Sequence, residues 1–418
     1  MAKFEPIITS LLDTDFYKFT MGQVVFRKFR DVNVKYAFKN RTKVHLSHFI
    51  SEKDLCNQLD NVADLRFNNS ELHYLRGTNE YSDRMFTEDY LEFLRDLRLS
   101  SYHLKYNKDD FELEFEGPWS TAIYWETFAL SIINELYCNE VLSMGREFHQ
   151  DVVKATGVTN LAKKLSFLHR NGNTGSSNVT FTDFGTRRRF SREWQDYVVK
   201  TLKNEFSPDC FRGTSNVYLA MKYGLLPMGT SAHEMFMILA GISDQTDDGI
   251  RNSHRNFLDL WWDQYGYGLS IALTDTFGSE FFFNDMTSRQ AAQWKGLRHD
   301  SGSPIEFGNK AIEFYKSKGV DPKEKMIVFS DGLDVDKIVS LSDFFQGKIK
   351  TSFGWGTNLT NDLGIGALSL VIKPVMANGV PLVKLSDNLA KAMGDPTTVE
   401  RYKRIFGYTN ASTIECRY

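Results

Sequence analysis

Met326-Ile327-Val328-Phe329-Ser330-Asp331-Gly332 is a run of four apolar residues stopped by a turn of small and acidic ones, and a helical pattern follows from Asp334 to Leu341. An apolar run this short, closed by Asp-Gly and answered by a helix, reads as one strand, turn and helix of a parallel sheet covered on both faces. The same order recurs. Comparable turns stand at Asp183-Phe184-Gly185-Thr186, Gly213-Thr214-Ser215, Gly229-Thr230-Ser231, Thr274-Asp275-Thr276, Asp300-Ser301-Gly302 and Gly354-Trp355-Gly356-Thr357, which makes seven. Leu269 to Leu273 and Thr351 to Phe353 read as strands entering two of them, and helical patterns follow most, at 191–206, at 216–223 stopped by Gly224, at 232–240 and at 305–318. Seven consecutive units predict an α/β fold with an irregular, incomplete seven-unit barrel whose turns share the rim at the strand C-termini.

The two ends of the chain read differently. Asp13-Thr14-Asp15 offers N-caps for a helix carrying Phe16, Phe19 and Phe26, and Ser51 to Leu99 is charge-rich with helical spacing. Residues 34–38 and 111–116 alternate apolar and polar residues as half-buried strands do, and Val371 to Leu385 reads as a hairpin about Asn378-Gly379. One antiparallel sheet collecting strands from both ends follows. The expected division is an α/β sandwich domain from 1–140 and 360–418 around a barrel domain at 141–359.

Composition narrows the function. The 418 residues carry a net charge of -3, with 42 % hydrophobic and 25 % charged residues, proportions of a soluble globular protein and too balanced for unspecific nucleic-acid binding. The longest apolar stretch, Met235 to Ile242, is under half of the roughly 18 residues a membrane span needs. Pro6, Asp13 and Asp15 interrupt any secretory h-region, so a cytoplasmic location is expected. Cys56, Cys138, Cys210 and Cys416 are too scattered for a disulfide framework or zinc site and read as buried or idle thiols.

The rim carries the chemistry. Gly332, Gly354 and Gly356 at strand ends expose backbone N–H groups to a phosphate. Asp275, Asp300 and Asp331 end three strands, and three converging carboxylates call for a metal, an arginine or sugar hydroxyls between them. Arg187, Arg188 and Arg189, with Arg298, are placed to fork onto phosphate or carboxylate oxygens, and Phe184 to stack on a planar heterocycle. His233 opens a helix after a rim turn, where an anion is favoured; His299, beside Arg298, is its rival. The competing account of the Gly, Ser, Thr and Asp residues in these turns is that short βα turns and helix N-caps need them.

In order, Leu12-Asp13-Thr14-Asp15-Phe16-Tyr17-Lys18, Phe181 to Arg188, Gly213-Thr214-Ser215-Asn216, Gly229 to Glu234, Gly296 to Gly302 and Gly354 to Asn358 resemble the motifs of the nicotinate phosphoribosyltransferase family. The resemblance covers nearly the whole chain. It implies transfer of a 5-phosphoribosyl group from phosphoribosyl pyrophosphate to nicotinate, coupled to ATP hydrolysis and assisted by Mg²⁺, in a homodimer with shared active sites. His233 matches the histidine phosphorylated by ATP, and Asp275 and Asp300 the acids around ribose and metal. Phe184 matches the aromatic stacked on the pyridine ring, and Tyr17 one that covers its other face from a second subunit. Arg298 matches the arginine near the nicotinate carboxylate, with Arg187 beside the ring, while Asp331, Gly332, Gly354 and Gly356 match the 5'-phosphate pocket. Ser215 stands where the neighbouring nicotinamide enzymes have aspartate, which implies preference for the acid over the amide. Ser303 departs from the family's usual Asp. Lys373 and Lys384 in the terminal hairpin are candidates to reach phosphate. The alternatives are a nicotinamide or quinolinate acceptor, or a barrel glycosidase using Asp275 and Asp300 with Trp261 and Trp262 as sugar platforms.

Overall fold

Strands that alternate in polarity can bury one face only, and those at the chain ends do so on a common sheet. In the computed structural model, which describes residues 4–80, 83–145, 149–171 and 179–409, β1 (Asn33–Asn40) pairs with β5 (Phe111–Pro118), and β5 with β4 (Ser101–Tyr106), in an antiparallel sheet, with β2 (Asn79–Glu80) and β3 (Asp83–Arg84) forming a small ribbon apart. Inward-facing Tyr36 and Phe115 pair across β1 and β5, and Phe115 stacks on Trp125, ring centroids 4.8 Å apart. Between these strands the charge-rich stretch is helical at Glu52–Asp64, Asn69–Gly77 and Glu88–Arg95.

The middle of the chain supplies β6 (Phe181–Asp183), β7 (Phe211–Thr214), β8 (Leu226–Pro227), β9 (Ile271–Leu273), β10 (Gly296–His299), β11 (Met326–Phe329) and β12 (Lys350–Trp355). They form one parallel sheet in the order β8-β7-β6-β12-β11-β10-β9. No ladder joins β8 to β9 among the described residues, so the sheet curls into a half-barrel with an open seam. The chain then returns to the first sheet: β13 (Leu370–Ala377) pairs with β1 from Val34↔Ala377 to Asn40↔Leu370, and β14 (Val380–Pro381) completes the order β14-β13-β1-β5-β4. Asn378 and Gly379, at φ 46° and 80°, supply the two positive φ angles a tight hairpin turn requires.

Several caps fall where the residue types put them. Ser191, Asn216, Ser303 and Asp334 each accept a hydrogen bond from a first-turn N–H of the following helix, and Gly224 ends the helix Val217–Tyr223 at φ 61°. Ser303 therefore acts as an N-cap. The N-terminal helix differs from expectation: it runs Tyr17–Lys28 with Phe16 at its N-cap, and neither Asp13 nor Asp15 caps it. Both carboxylates face inward. Asp13 receives a forked pair from the buried Arg189 at 2.6 and 2.9 Å, and Asp15 receives the Ser215 hydroxyl at 2.6 Å. Cys56 and Cys210 are half-buried and Cys138 buried, all unpaired; Cys416 lies outside the described residues. No described helix is long and apolar enough to cross a membrane.

Candidate active site

The helix that carries His233 is His233–Gly241, and it reaches from the half-barrel to β13 of the other sheet, so the histidine sits where the two meet. His233 is buried. Its Nδ1 lies 2.9 Å from the Thr276 hydroxyl, and its Nε2 lies 3.0 Å from both Asp300 Oδ2 and Lys384 Nζ, with Asp275 Oδ1 at 3.7 Å. Burial, reinforced by the Lys384 ammonium, pushes the imidazole down to about 4 despite the two carboxylates, so it is neutral at neutral pH and keeps a lone pair. Asp275 is held at about 2: burial opposes ionisation, but the Lys384 ammonium outweighs it, joined by His233 once the imidazole is protonated in acid. Asp300 lies well below the usual carboxylate range for the same reason, with Arg298 as the leading counter-charge.

Asp275, Asp300 and Asp331 cap no helix, since Gly278, Ser303 and Asp334 hold those positions. The three acids face basic partners instead. Asp331 pairs with Lys391 at 2.6 Å, and Lys391 also donates to the Asp300 carbonyl at 2.8 Å. Asp275 accepts the Ser301 hydroxyl at 2.5 Å and the Ser386 hydroxyl at 3.2 Å. Lys384 thus stands in the site. Lys373 is buried elsewhere, on Glu126 at 2.7 Å.

Beside this cluster opens a cavity of about 180 Å³, walled by Phe184, Arg187, Arg188, Arg298, Ser330, Gly332, Lys337, Gly354 and Gly356. Arg298 donates to Ser330 Oγ at 2.9 Å and to Asp300 Oδ1 at 3.3 Å, and its guanidinium lies 5.8 Å from the Phe184 ring centroid. One end is therefore aromatic and cationic. At the other, Gly332 adopts φ 57° and Lys337 donates to its carbonyl at 2.6 Å. Gly354 lies inside β12 rather than in a turn, and its missing side chain makes room for Phe184.

Not every expected residue reaches the cavity. Arg189 is buried on Asp13, which takes it out of the phosphate-gripping triplet. His299 points behind the sheet, its ring among Phe307 and Phe329, with neither nitrogen hydrogen-bonded. Trp261 is in the core and donates to the Leu269 carbonyl, so it offers no sugar platform. Tyr17 is buried with its hydroxyl 3.5 Å from Glu126 Oε2, the carboxylate that Arg187 of the same chain also reaches. Ser215 has its hydroxyl engaged by Asp15. Sequence reasoning passed over Lys391, Ser386 and Asp387, whose carboxylate receives the Ser279 N–H at 2.8 Å and whose own N–H donates to Ser301 Oγ at 3.2 Å. Their signal was available: Leu385-Ser386-Asp387 closes an apolar run with the same Ser-Asp turn as Phe329-Ser330-Asp331.

Comparison with known proteins agrees with this geometry. The model of the nicotinate phosphoribosyltransferase (NAPRTase) N-terminal domain matches residues 12–134, and that of the NAPRTase family matches residues 179–410. A crystal structure of nicotinate phosphoribosyltransferase from Vibrio cholerae is 33 % identical, with a TM-score of 0.87 over 97 % of this chain and 94 % of that one. The Porphyromonas gingivalis enzyme is 30 % identical (TM-score 0.84, 96 % of this chain, 100 % of that one). A Saccharomyces cerevisiae protein described as a putative nicotinate phosphoribosyltransferase is 31 % identical (TM-score 0.83, 97 % and 100 %). The chain belongs to the nicotinate phosphoribosyltransferase family. It is an enzyme of NAD salvage that places a phosphoribosyl group on nicotinate.

Proposed function

We propose that the enzyme takes the phosphoribosyl group from phosphoribosyl pyrophosphate and couples the transfer to ATP through His233. The observation that carries this reading is the convergence on one buried, neutral imidazole of Lys384, Asp300 and Asp275 beside a cationic cavity. In the coupling step an imidazole nitrogen of His233 bonds to the γ-phosphorus of ATP as the bond to the ADP oxygen breaks. Hydrolysis of that N–P bond later returns the imidazole and releases phosphate. The phosphate adds about -1.5 to -2 charge next to Lys384, which alters what the site offers a pyrophosphate group.

In the transfer itself the pyridine nitrogen of nicotinate bonds to ribose C1 as the C1–O bond to pyrophosphate breaks, the electron pair leaving with the anion. Positive charge grows on the ribose, and Asp275 and Asp300, ionised and fixed in advance, stabilise it. No base is required, because the pyridine nitrogen carries a lone pair at neutral pH; the protein's work is alignment. Phe184 supplies a stacking face, Arg298 a partner for the carboxylate, and Gly332 with Lys337 and Arg188 the phosphate end.

The donor set also fits Mg²⁺. Asp275 Oδ1 is buried without a hydrogen-bond partner, and ligand atoms of His233, Asp275 and Asp300 lie within 4.8 Å of one another. Asp275 and Asp300 would hold the ion as hard oxygen ligands, and it would screen the departing pyrophosphate.

Incubation with nicotinate, phosphoribosyl pyrophosphate, Mg²⁺ and γ-labelled ATP is expected to give nicotinate mononucleotide and labelled protein. His233→Ala is expected to abolish the label. Persistent labelling of that variant removes His233 from the coupling step, whatever happens to product formation.

A further inference from the structure

Glu126 lies on the helix Trp125–Ser143 and is buried, with four groups from three other elements on its two oxygens. Oε1 accepts from Lys373 Nζ of β13 at 2.7 Å and from Arg187 Nη1 at 3.2 Å. Oε2 lies 2.8 Å from Lys18 Nζ and 3.5 Å from the Tyr17 hydroxyl, both on the first helix. Lys18 also binds Glu234 Oε2 at 2.7 Å, and Glu234 is the neighbour of His233. The same carboxylate thus touches Arg187 and Tyr17 on the ring side and connects, through one lysine, to the helix that bears the histidine.

Resting on the assignment of Arg187 to the nicotinate side of the cavity, we propose that Glu126 is a positioning residue for nicotinate, acting by aiming the Arg187 guanidinium. The physical reason is directional. Arg187 opens partly into the cavity and has two anionic partners, Asp15 at 3.8 Å and Glu126 at 3.2 Å; only Glu126 is within hydrogen-bond distance. A guanidinium is a planar fork whose donors point in fixed directions, so an acceptor on one nitrogen sets where the others face. Lys373 and Lys18 in turn anchor both oxygens of Glu126, so the carboxylate cannot follow the arginine if it turns. A buried carboxylate with fewer partners would leave that orientation free.

Three variants separate this from a purely structural role. In Glu126→Gln the side chain keeps its size and loses the charge; in Glu126→Asp it keeps the charge and retracts by one methylene; Arg187→Met removes the group being aimed. Glu126→Gln is expected to raise KM for nicotinate about tenfold, with KM for phosphoribosyl pyrophosphate and kcat within about twofold. Glu126→Asp is expected to shift the same constant in the same direction, and it serves alone if loss of charge among Lys18, Lys373 and Arg187 prevents folding. In the Arg187→Met background, a Glu126 substitution is expected to add nothing further, because contacting residues that act as one are not additive. A wild-type nicotinate KM in Glu126→Asp, an equal loss for both substrates, or multiplied effects in the double variant would each overturn the proposal. Absence of nicotinate phosphoribosyltransferase activity in the wild-type protein would instead overturn the function on which it rests.

Discussion

Phe184 owes its place to an absence. A Cβ on Gly354 would fall inside the van der Waals envelope of the Phe184 ring, so the aromatic wall of the cavity exists only with glycine at that position of β12. Gly354→Ala is expected to tilt the ring and raise KM for nicotinate roughly three- to tenfold, the worth of one aromatic stacking contact, as steady-state kinetics would record. Unchanged kinetics would mean that Phe184 does not stack on the substrate. Single residues of this kind were legible in the sequence where a charge or ring stood at a strand end, as Asp300, Arg298 and Phe184 do, or opened the helix after a rim turn, as His233 does. Arg189 carried the same signal as Arg187 and went instead to Asp13: the tight turn of helix ends at Arg188, and Arg189 leaves it in an extended conformation with its side chain buried. Glu126 carried no signal, and Lys18 none beyond its place in the first motif, because their meaning arises only from groups brought together from elements far apart in the chain.

At the scale of elements, the rim works because β10 lies close against β11. Gly296 pairs with Met326, and a Cβ there would collide with the Met326 carbonyl oxygen, a backbone atom that cannot swing aside. Gly296→Ala is expected to cost about 1–3 kcal/mol, read as a lower thermal midpoint, and to weaken nicotinate binding through Arg298 two residues on. A variant as stable as the wild type would show that β10 has slack. Strand, turn and helix order in this half of the chain could be read from the sequence because each unit announces its own start and stop. The caps settled the ambiguity that residue types left open: Ser303 and Asp334 stop helices from fraying, which frees Asp300 and Asp331 to face Arg298 and Lys391. Asp15 ran the other way, an apparent cap drawn inward by Ser215. The open edge between β8 and β9 had no counterpart in the sequence beyond the count of seven units, because closure depends on distances between strands that local patterns do not encode.

For the whole molecule, acid and base should act on stability through Glu135. Burial raises its carboxyl to about 7 from 4.5, against the opposing pull of Arg189. The folded chain therefore keeps this proton over a range in which the unfolded chain releases it. The stabilisation is complete below about pH 4.5 and fades as pH rises through 7, a change on the order of 3 kcal/mol. Glu135→Gln retains an acceptor for the Arg192 N–H, now 2.9 Å from Glu135, and carries no such proton. Thermal midpoints at pH 5 and pH 8 should show the variant gaining on the wild type as pH rises; a constant difference between the two proteins would exclude Glu135 as the source.

β1 and β13 are neighbours in space and nearly a whole chain apart in synthesis. At about 5–20 residues per second, on the order of tens of seconds separate the appearance of the two on a ribosome. During that interval β1 has β5 on one edge and nothing on the other, and Lys373, Lys384 and Lys391 have not been made. The nascent protein therefore holds Asp275, Asp300 and Asp331 together without those ammonium partners until residues 373–391 have been made, and enzymatic competence waits on that one segment rather than growing along with the chain.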